Sequence, residues 1–366
     1  MAEPLLNAEP RVRSRRAKPA RQRDTAIDLV RGLCIASMVL GHLAPASLLS
    51  IGFHIFPKFD GASGFVLLGG LMLGIVRRKQ VQSAGMAWVQ RKSVKQIAVL
   101  YTAQLILVCL GVWAAYSGWE SRNFPNMETL SVTDVVANAF MMTLAPPGGD
   151  VLRLYVFLLG LCMIAYPMLE RGWWVAVLAG SFAIHLLGQA FPAATSFSPY
   201  EEQAASAGWA GWQLLFISAL VLGWHWKSLN IPAKIDRHGW KVLLVCAVVA
   251  LAFAAASVVL PSYWEEILFS KYTFPLGRII VAYSVIAALY IVARMVVDKI
   301  PSGWLRPLVV TGSFSLHSYI IQAIVVVVAY GFLAMNSASP IAFAVAIATL
   351  LACWGWAEFK LRTRKR

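Results

Sequence analysis

Apolar residues occur in long runs along this chain, and short polar segments separate the runs. A transmembrane helix needs about 20 consecutive residues that are mostly apolar. Ten runs have this character, and each is predicted to be a helix. They cover residues 27–49, 61–77, 94–116, 151–169, 173–191, 209–226, 241–260, 275–297, 308–333 and 340–358. The pattern therefore predicts an all-α integral membrane protein, built as a single bundle of about ten transmembrane helices.

Residues 132–146 form a weaker apolar stretch, which ends in Pro146-Pro147-Gly148-Gly149. Two prolines followed by two glycines end a helix, because proline lacks a backbone N–H and glycine favours turns. We predict an amphipathic or re-entrant element here. If the stretch crossed the membrane instead, the protein would have eleven spans and its termini would lie on opposite sides.

Basic residues are distributed unevenly between the two sides of this predicted bundle. With ten spans, 26 of the 32 lysines and arginines fall in the two tails and in the loops on one side. Cytoplasmic segments carry an excess of Lys and Arg, so both the N- and C-termini are predicted to be cytoplasmic. The net charge of +15 is thus a signal of topology and not of nucleic-acid binding.

The composition leaves no room for a separate soluble domain. Hydrophobic residues make up 59% of the chain and charged residues 13%, against about a quarter charged in soluble domains. We predict a disordered basic cytoplasmic tail over residues 1–24, which is not a cleaved signal peptide, a multi-span domain over 25–359, and a basic cytoplasmic tail over 360–366. The five cysteines have no metal-site or disulfide spacing, so we expect no metal and no tightly bound cofactor.

Arg31 and His42 lie eleven residues apart in the first apolar run. Eleven residues advance a helix by roughly 16 Å and return to nearly the same face. Ionisable residues at membrane depth are costly and usually face a functional pathway. We interpret the pair as two points on a polar track across half the bilayer. The alternatives are that Arg31 pairs with Asp28 as an anchor at the cytoplasmic interface, and that His42 is a structural histidine.

Asp60 lies just before the second run, in a segment that also contains His54 and Lys58. On the ten-span topology Asp60 is close to the level of His42, near the outer side. A carboxylate beside a histidine orients the ring and raises its basicity, so we predict that His42 and Asp60 are catalytic. Asp60 is also placed to cap the second helix, and one residue can do both.

Further polar residues occur at the ends of three later runs, where substrate could be bound. They are Asp150, Arg153 and Tyr155 at the fourth run, Arg278 in the eighth, and Ser315, His317 and Tyr319 in the ninth. The alternatives are that the two arginines reach to the membrane interface and that the ninth run makes interhelical hydrogen bonds.

Several motifs, taken in order, resemble the OpgC branch of the acyltransferase-3 superfamily. They are Arg23-x4-Asp28-x2-Arg31-Gly32 with His42, Phe59-Asp60-Gly61 before Phe65-Val-Leu-Leu-Gly69, Asp150 to Tyr155, Trp212-Gln213-Leu-Leu-Phe216, and Ser315-Leu-His-Ser-Tyr319. The likeness covers about residues 23–358. Arg153-Leu154 departs from the family pattern, which has an apolar residue and a proline, so Arg153 is not carried over.

The resemblance implies a multi-pass O-acyltransferase of the bacterial inner membrane. It would move a succinyl group from cytoplasmic succinyl-CoA, its donor substrate, to hydroxyls of osmoregulated periplasmic glucans. Its expected partners are acyl-CoA, the glucan and the lipid bilayer, with no nucleic acid, and a homodimer stays open. The alternatives are an O-acetyltransferase of another cell-envelope polysaccharide and a polytopic transporter.

Roles follow for the candidate residues on this expectation. Arg31 and Asp28 meet the donor, His42 is the general base, and Asp60 orients it. A covalent acyl-His42 intermediate is equally compatible with the sequence. The residues expected to bind substrate are Lys58, Asp150, Tyr155, Arg278, Ser315, His317 and Tyr319.

Overall fold

The computed structural model describes residues 24–118, 130–197, 208–332 and 335–363, and these form helices without a strand. The expectations for the two tails, residues 1–23 and 364–366, lie outside the described residues. The helices are α1 Thr25–Leu43, α2 Leu48–Phe53, α3 Gly61–Ala84, α4 Met86–Tyr116, α5 Val132–Phe140, α6 Asp150–Glu170, α7 Trp174–Ala190, α8 Trp209–His225, α9 Ile231–Val259, α10 Ser262–Phe269, α11 Leu276–Val297, α12 Ser302–Ser313, α13 Ser315–Val327 and α14 Pro340–Thr363.

Seven of the described helices are long and apolar enough to cross a membrane: α1, α3, α4, α6, α9, α11 and α14. The protein is therefore an all-helical, multi-pass membrane protein. Helices α12 and α13 pass the same test together, although they are bent by 82° at their junction. Each of the ten predicted spans corresponds to a described helix or to this bent pair. The count of ten crossings and the sides of the termini stay predictions.

Helix α1 is the central helix of the bundle. It packs against α3, α11, α12, α13 and α14. Within its most apolar window 78% of the residues are buried, against 11% for α9, which presents apolar side chains outward as a lipid-facing helix does. The Asp24 carboxylate starts α1 by accepting from the backbone N–H groups of Ala26 and Ile27. The helix that carries Arg31 and His42 is thus strongly enclosed by its neighbours.

Two glycines allow α1 and α12 to touch backbone to backbone. A Cβ atom on Gly32 would lie 2.1 Å from the carbonyl oxygen of Leu308, and one on Gly312 would lie 1.8 Å from that of Asp28. Only a residue without a side chain fits at such a distance. This crossing fixes where α12 ends, and therefore where α13 begins beside α1.

The ninth predicted run is not one continuous helix. The sequence predicts a helix over residues 308–333, whereas α12 begins at Ser302 and the chain breaks at Phe314 before α13 starts. Phe314 has φ −119° and ψ 27°, which are not helical values. Hydropathy measures the apolar length of a run and not its straightness, so it does not predict the bend. The break brings the first residue of α13, Ser315, into the interior.

Residues 132–146 contain only the nine-residue helix α5, which is too short to cross a bilayer. The chain then returns to the bundle through residues 141–149. Arg153 Nη1 donates to the carbonyl oxygen of Thr143 at 3.1 Å, and the hydroxyl of Tyr319 donates to that of Gly148. These bonds satisfy the irregular backbone from inside the protein, as membrane depth requires. The element agrees with the predicted amphipathic or re-entrant segment.

Candidate active site

His42 lies at the C-terminal end of α1 and is exposed, although fourteen of the nineteen residues of this helix are buried. Three titratable side chains act on it electrostatically: Lys271, Asp60 and His54. The hydroxyl of Tyr330 donates to the backbone carbonyl oxygen of His42 at 2.8 Å and to that of the next residue at 3.0 Å. The imidazole is therefore accessible and near charge, while its backbone is anchored.

A second histidine, His54, lies beside His42 at the end of α2. Its Nδ1 donates to the carbonyl oxygen of Ser50 at 2.7 Å. Because a carbonyl oxygen only accepts, a neutral His54 carries its proton on Nδ1 and its lone pair on Nε2. Nε2 lies 3.5 Å from the hydroxyl oxygen of Ser37. A Cβ atom on Gly41 would lie 3.1 Å from the ring, so this glycine makes room for it.

Asp60 is engaged by groups other than His42. Its Oδ1 accepts from the backbone N–H and the hydroxyl of Ser63, at 2.8 and 2.7 Å, and so caps α3 as the sequence predicts. Its Oδ2 lies 3.0 Å from Arg278 Nη2 and 3.4 Å from Lys271 Nζ. Within the described residues no hydrogen bond joins Asp60 to His42. The expected orienting bond is thus absent, because the carboxylate is held by its cap and its two cations.

Charge explains why Asp60 stays ionised. Burial opposes ionisation, but Lys271, Arg278 and the two hydrogen bonds from Ser63 outweigh it and hold the pKa of Asp60 well below its usual range. Asp60 therefore acts on His42 as a fixed negative charge, together with the positive charge of Lys271.

The two cations beside Asp60 differ in their availability. Arg278 is buried, and its guanidinium donates to Asp60 and to the carbonyl oxygen of Phe269 at 3.1 Å. The Lys271 side chain is 54% exposed. The sequence predicts that Arg278 binds substrate, whereas Lys271 is the accessible cation next to His42. Lys271 stands in a loop far along the chain, and only the fold brings it here.

Helix α10, which the sequence did not predict, borders this cluster. Lys58, another expected substrate residue, forms an ion pair with Glu265 of α10. The same helix exposes the rings of Tyr263 and Trp264, which contact each other edge to face. Lys58 is therefore placed near the cluster, but its ammonium group already has a partner.

Arg31 is held inside the bundle on the same helix as His42. Its Nη2 donates to the hydroxyl of Ser315 at 2.6 Å, and its Nη1 lies 3.8 Å from the Asp28 carboxylate. The structure thus brings three predicted residues together, although they come from α1 and α13. The side chain is 18% exposed, so the guanidinium is largely taken up by the protein itself.

The stripe between Arg31 and His42 is filled with apolar side chains. Ile35 is 0% exposed and Met38 5%. Side chains that line an open aqueous passage would be accessible to water. The proposed track is therefore closed along this stretch, and anything that passes along it must displace these side chains.

The structure places the other expected substrate residues outside the His42 cluster. Asp150 accepts from Arg153 Nη2 at 2.7 Å, and this pair together with Tyr319 holds residues 141–149. Arg153 is buried within this network.

Tyr155 and His317 also have neighbours of their own. The hydroxyl of Tyr155 donates to the carbonyl oxygen of Phe65 at 2.9 Å inside the core. His317 is exposed on α13 and lies edge to face against Phe314. Their roles in binding substrate stay predictions, and the described contacts support a role in packing.

Comparison with known families adds independent information. A family model described as OpgC protein matches residues 23–365, and this range includes every residue that the structure describes. The chain belongs to the OpgC family. Comparisons with curated proteins and with solved structures gave no significant match. Membership of the OpgC family supports a membrane acyltransferase that modifies glucans, while the wider acyltransferase-3 relationship rests on the motif resemblance alone.

Proposed function

We propose that this protein is an O-acyltransferase of the bacterial inner membrane. It transfers a succinyl group from cytoplasmic succinyl-CoA to hydroxyls of osmoregulated periplasmic glucans. The observation that carries the proposal is the exposed imidazole of His42, at the end of a buried central helix and beside His54, Asp60 and Lys271, in a chain of the OpgC family. General-base catalysis of acyl transfer needs an accessible imidazole with fixed charges around it.

In the proposed reaction His42 takes the proton of a glucan hydroxyl while the hydroxyl oxygen attacks the thioester carbonyl carbon. A C–O bond forms, and the C–S bond breaks as the tetrahedral intermediate collapses. His42 then returns the proton to the departing thiolate, so the products are a succinyl ester and free CoA. In the alternative with an acyl-His42 intermediate, we propose that the lone pair on Nε2 of His54 takes the hydroxyl proton, because Nδ1 is bonded to the Ser50 carbonyl oxygen.

Lys271 is proposed to attract the negative charge of the succinyl group or of the intermediate. Arg278 is less suited to this role, because its guanidinium is buried and bonded to Asp60 and to Phe269. An exposed ammonium group near His42 can pair with a carboxylate that arrives with the donor. The exposed rings of Tyr263 and Trp264 on α10 border the same region and offer a surface for the glucan.

The test uses purified protein in detergent, with succinyl-CoA, neutral glucan and no ion gradient. We expect release of free CoA thiol and a matching succinyl mass increase of the glucan. His42→Ala should abolish both, because no base remains to take the hydroxyl proton. His238→Ala is the matched control, since His238 is an exposed histidine on α9 with no place in the cluster. Normal transfer by His42→Ala would falsify the mechanism.

Donor choice separates the alternatives. Lys271→Gln should lower kcat/KM for succinyl-CoA more than for acetyl-CoA, because only succinate carries a terminal carboxylate. Preference of the wild-type protein for acetyl-CoA would favour the O-acetyltransferase alternative. Movement of intact substrate across vesicles without thiol release would favour a transporter.

A further inference from the structure

A basic, aromatic cleft of about 300 Å³ opens between the C-terminal ends of α3 and α8. Three cationic residues, two tryptophans and one serine supply its polar and aromatic lining. They are Arg78, Lys79, Lys227, Trp224, Trp226 and Ser228. No acidic residue lines the cleft. On the predicted topology it faces the cytoplasm, because these basic loops lie on the side of the tails.

The fold constructs this cleft at a defined point. Gly74 and Gly223 let α3 and α8 meet backbone to backbone, since a Cβ atom on either would lie within 2.2 Å of a carbonyl oxygen of the other helix. The cleft begins next to this contact. Arg78 is fixed in its wall, with Nη1 donating to the carbonyl oxygen of Trp224 at 2.5 Å and to the hydroxyl of Ser228 at 3.2 Å. The guanidinium is therefore oriented without a carboxylate partner in the described part of the chain.

The cleft adjoins the end of the helix that leads to His42. The ring of Trp226 lies edge to face against Tyr290, with 6.0 Å between the ring centres. The hydroxyl of Tyr290 donates to Asp24 at 2.7 Å, and Asp24 caps the start of α1. From Asp24 to Arg31 the helix advances by roughly 10 Å. A ligand bound in the cleft thus lies near the N-terminal end of α1.

We propose that this cleft binds the adenosine-phosphate end of the acyl-CoA donor. Arg78, Lys79 and Lys227 bind phosphate oxygens, and Trp226 stacks on the adenine face. The sequence predicts that Arg31 meets the donor, but Arg31 is hydrogen-bonded to Ser315 and mostly enclosed. The inference rests on the proposed acyl-CoA-dependent function and names where its donor binds. A phosphate could also come from an anionic lipid headgroup, so the experiment separates the two sources.

The first test measures binding of adenosine 3′,5′-bisphosphate by calorimetry, with the full chain in nanodiscs of neutral phosphatidylcholine. Arg78→Gln combined with Lys227→Gln should raise the Kd about tenfold or more, which corresponds to about 1.4 kcal/mol. Lys241→Gln is the matched control, because Lys241 lies over Trp240 on α9, outside the cleft. The Lys79→Gln and Lys227→Gln pair keeps Arg78 and its backbone contact, and should also weaken binding. An unchanged Kd in both double variants overturns the proposal.

Phosphatidylglycerol added to the nanodiscs distinguishes a lipid site. If anionic lipid co-purifies with the wild type but not with the Arg78/Lys227 variant, while the Kd for the nucleotide is the same in both proteins, the cleft is a lipid site and the proposal is wrong. Trp226→Leu should weaken binding of adenosine 3′,5′-bisphosphate but not of inorganic phosphate.

The second test compares donors with and without the nucleotide. In the wild type, kcat/KM should be higher for succinyl-CoA than for succinyl-pantetheine, because only the former reaches the cleft. The Arg78/Lys227 variant should lose most of this advantage, whereas Lys241→Gln should keep it. If the Arg78/Lys227 variant keeps the higher kcat/KM for succinyl-CoA, the proposal that the cleft binds the nucleotide is wrong. Absence of transfer from either donor by the wild type, with nucleotide binding intact, would instead count against the proposed function.

Discussion

Asp60 joins three structural tasks in one carboxylate, since it caps α3, pairs with buried Arg278 and pairs with exposed Lys271. Asp60→Asn keeps a good capping residue but removes the charge. It leaves Arg278 buried without its ion pair, which should lower the free energy of unfolding by about 3 kcal/mol. Lys271→Gln is the control and should cost about 1 kcal/mol or less, because Lys271 is more than half exposed. Thermal unfolding in detergent measures both; equal midpoints for the two variants would contradict the assignment.

The stability that the Asp60 carboxylate contributes should depend on pH, and comparison with Asp60→Asn measures it. The pKa of Asp60 is lower in the folded protein than its ordinary value of about 4, so its contribution to stability is complete above that pH. The contribution declines as the pH falls from there toward the folded pKa. The midpoint difference between wild type and Asp60→Asn should therefore be constant from neutral pH to about pH 4 and shrink below it. A difference that shrinks already between pH 7 and 5 would show that the folded pKa is not lowered.

Among single residues, the sequence predicts those that have a local signal but not those that only the fold brings together. Asp60 has a local signal, a carboxylate directly before an apolar run, and its capping bond could be predicted. Lys271 and His54 have no such signal, because neither spacing nor periodicity relates them to His42. The predicted bond between Asp60 and His42 failed because the sequence could not show that Arg278 and Lys271 compete for that carboxylate.

Between elements, the crossing of α1 and α12 determines where Ser315 meets Arg31. Gly312→Ala would place a methyl group 1.8 Å from the carbonyl oxygen of Asp28, so the helices must separate. We expect a loss of about 1–3 kcal/mol in stability and a fall in transfer, because the bond between Arg31 and Ser315 is disturbed. Gly303→Ala on the same helix meets nothing within 4 Å and is the matched control. Thermal midpoints and thiol release that are equal in both variants would show that the crossing tolerates the added methyl.

Hydropathy predicted the elements well where a helix is straight and long, and poorly where the chain bends or runs along the surface. Each predicted run coincides with a described helix or with the bent pair of α12 and α13, although α4 begins eight residues and α9 ten residues before the predicted start. The bend at Phe314 and the short helix α10 were not predicted, since an apolar average over a window carries no information on direction. These two features shape the candidate site, so its geometry depends on what periodicity does not encode.

For the whole molecule, the proposed reaction requires a fixed orientation in the membrane. The proposed donor is cytoplasmic and the proposed acceptor is a periplasmic glucan, so the basic cleft and His42 must face opposite sides of the membrane. They lie at opposite ends of the bundle, with the cleft at the C-terminal ends of α3 and α8 and His42 at the C-terminal end of α1. The excess of Lys and Arg in the loops and tails on the side of the cleft agrees with this orientation.

Cysteine accessibility tests this orientation directly. Ser117 follows α4 on the predicted periplasmic side, and Ser302 begins α12 on the predicted cytoplasmic side. Both serines are exposed, so each can be replaced by cysteine as a reporter. In spheroplasts of a variant without the five native cysteines, a membrane-impermeant maleimide should label Ser117→Cys at once. It should label Ser302→Cys only after the membrane is permeabilised. The reverse pattern would place the basic cleft in the periplasm, away from acyl-CoA, and would contradict the proposed donor site together with the direction of transfer.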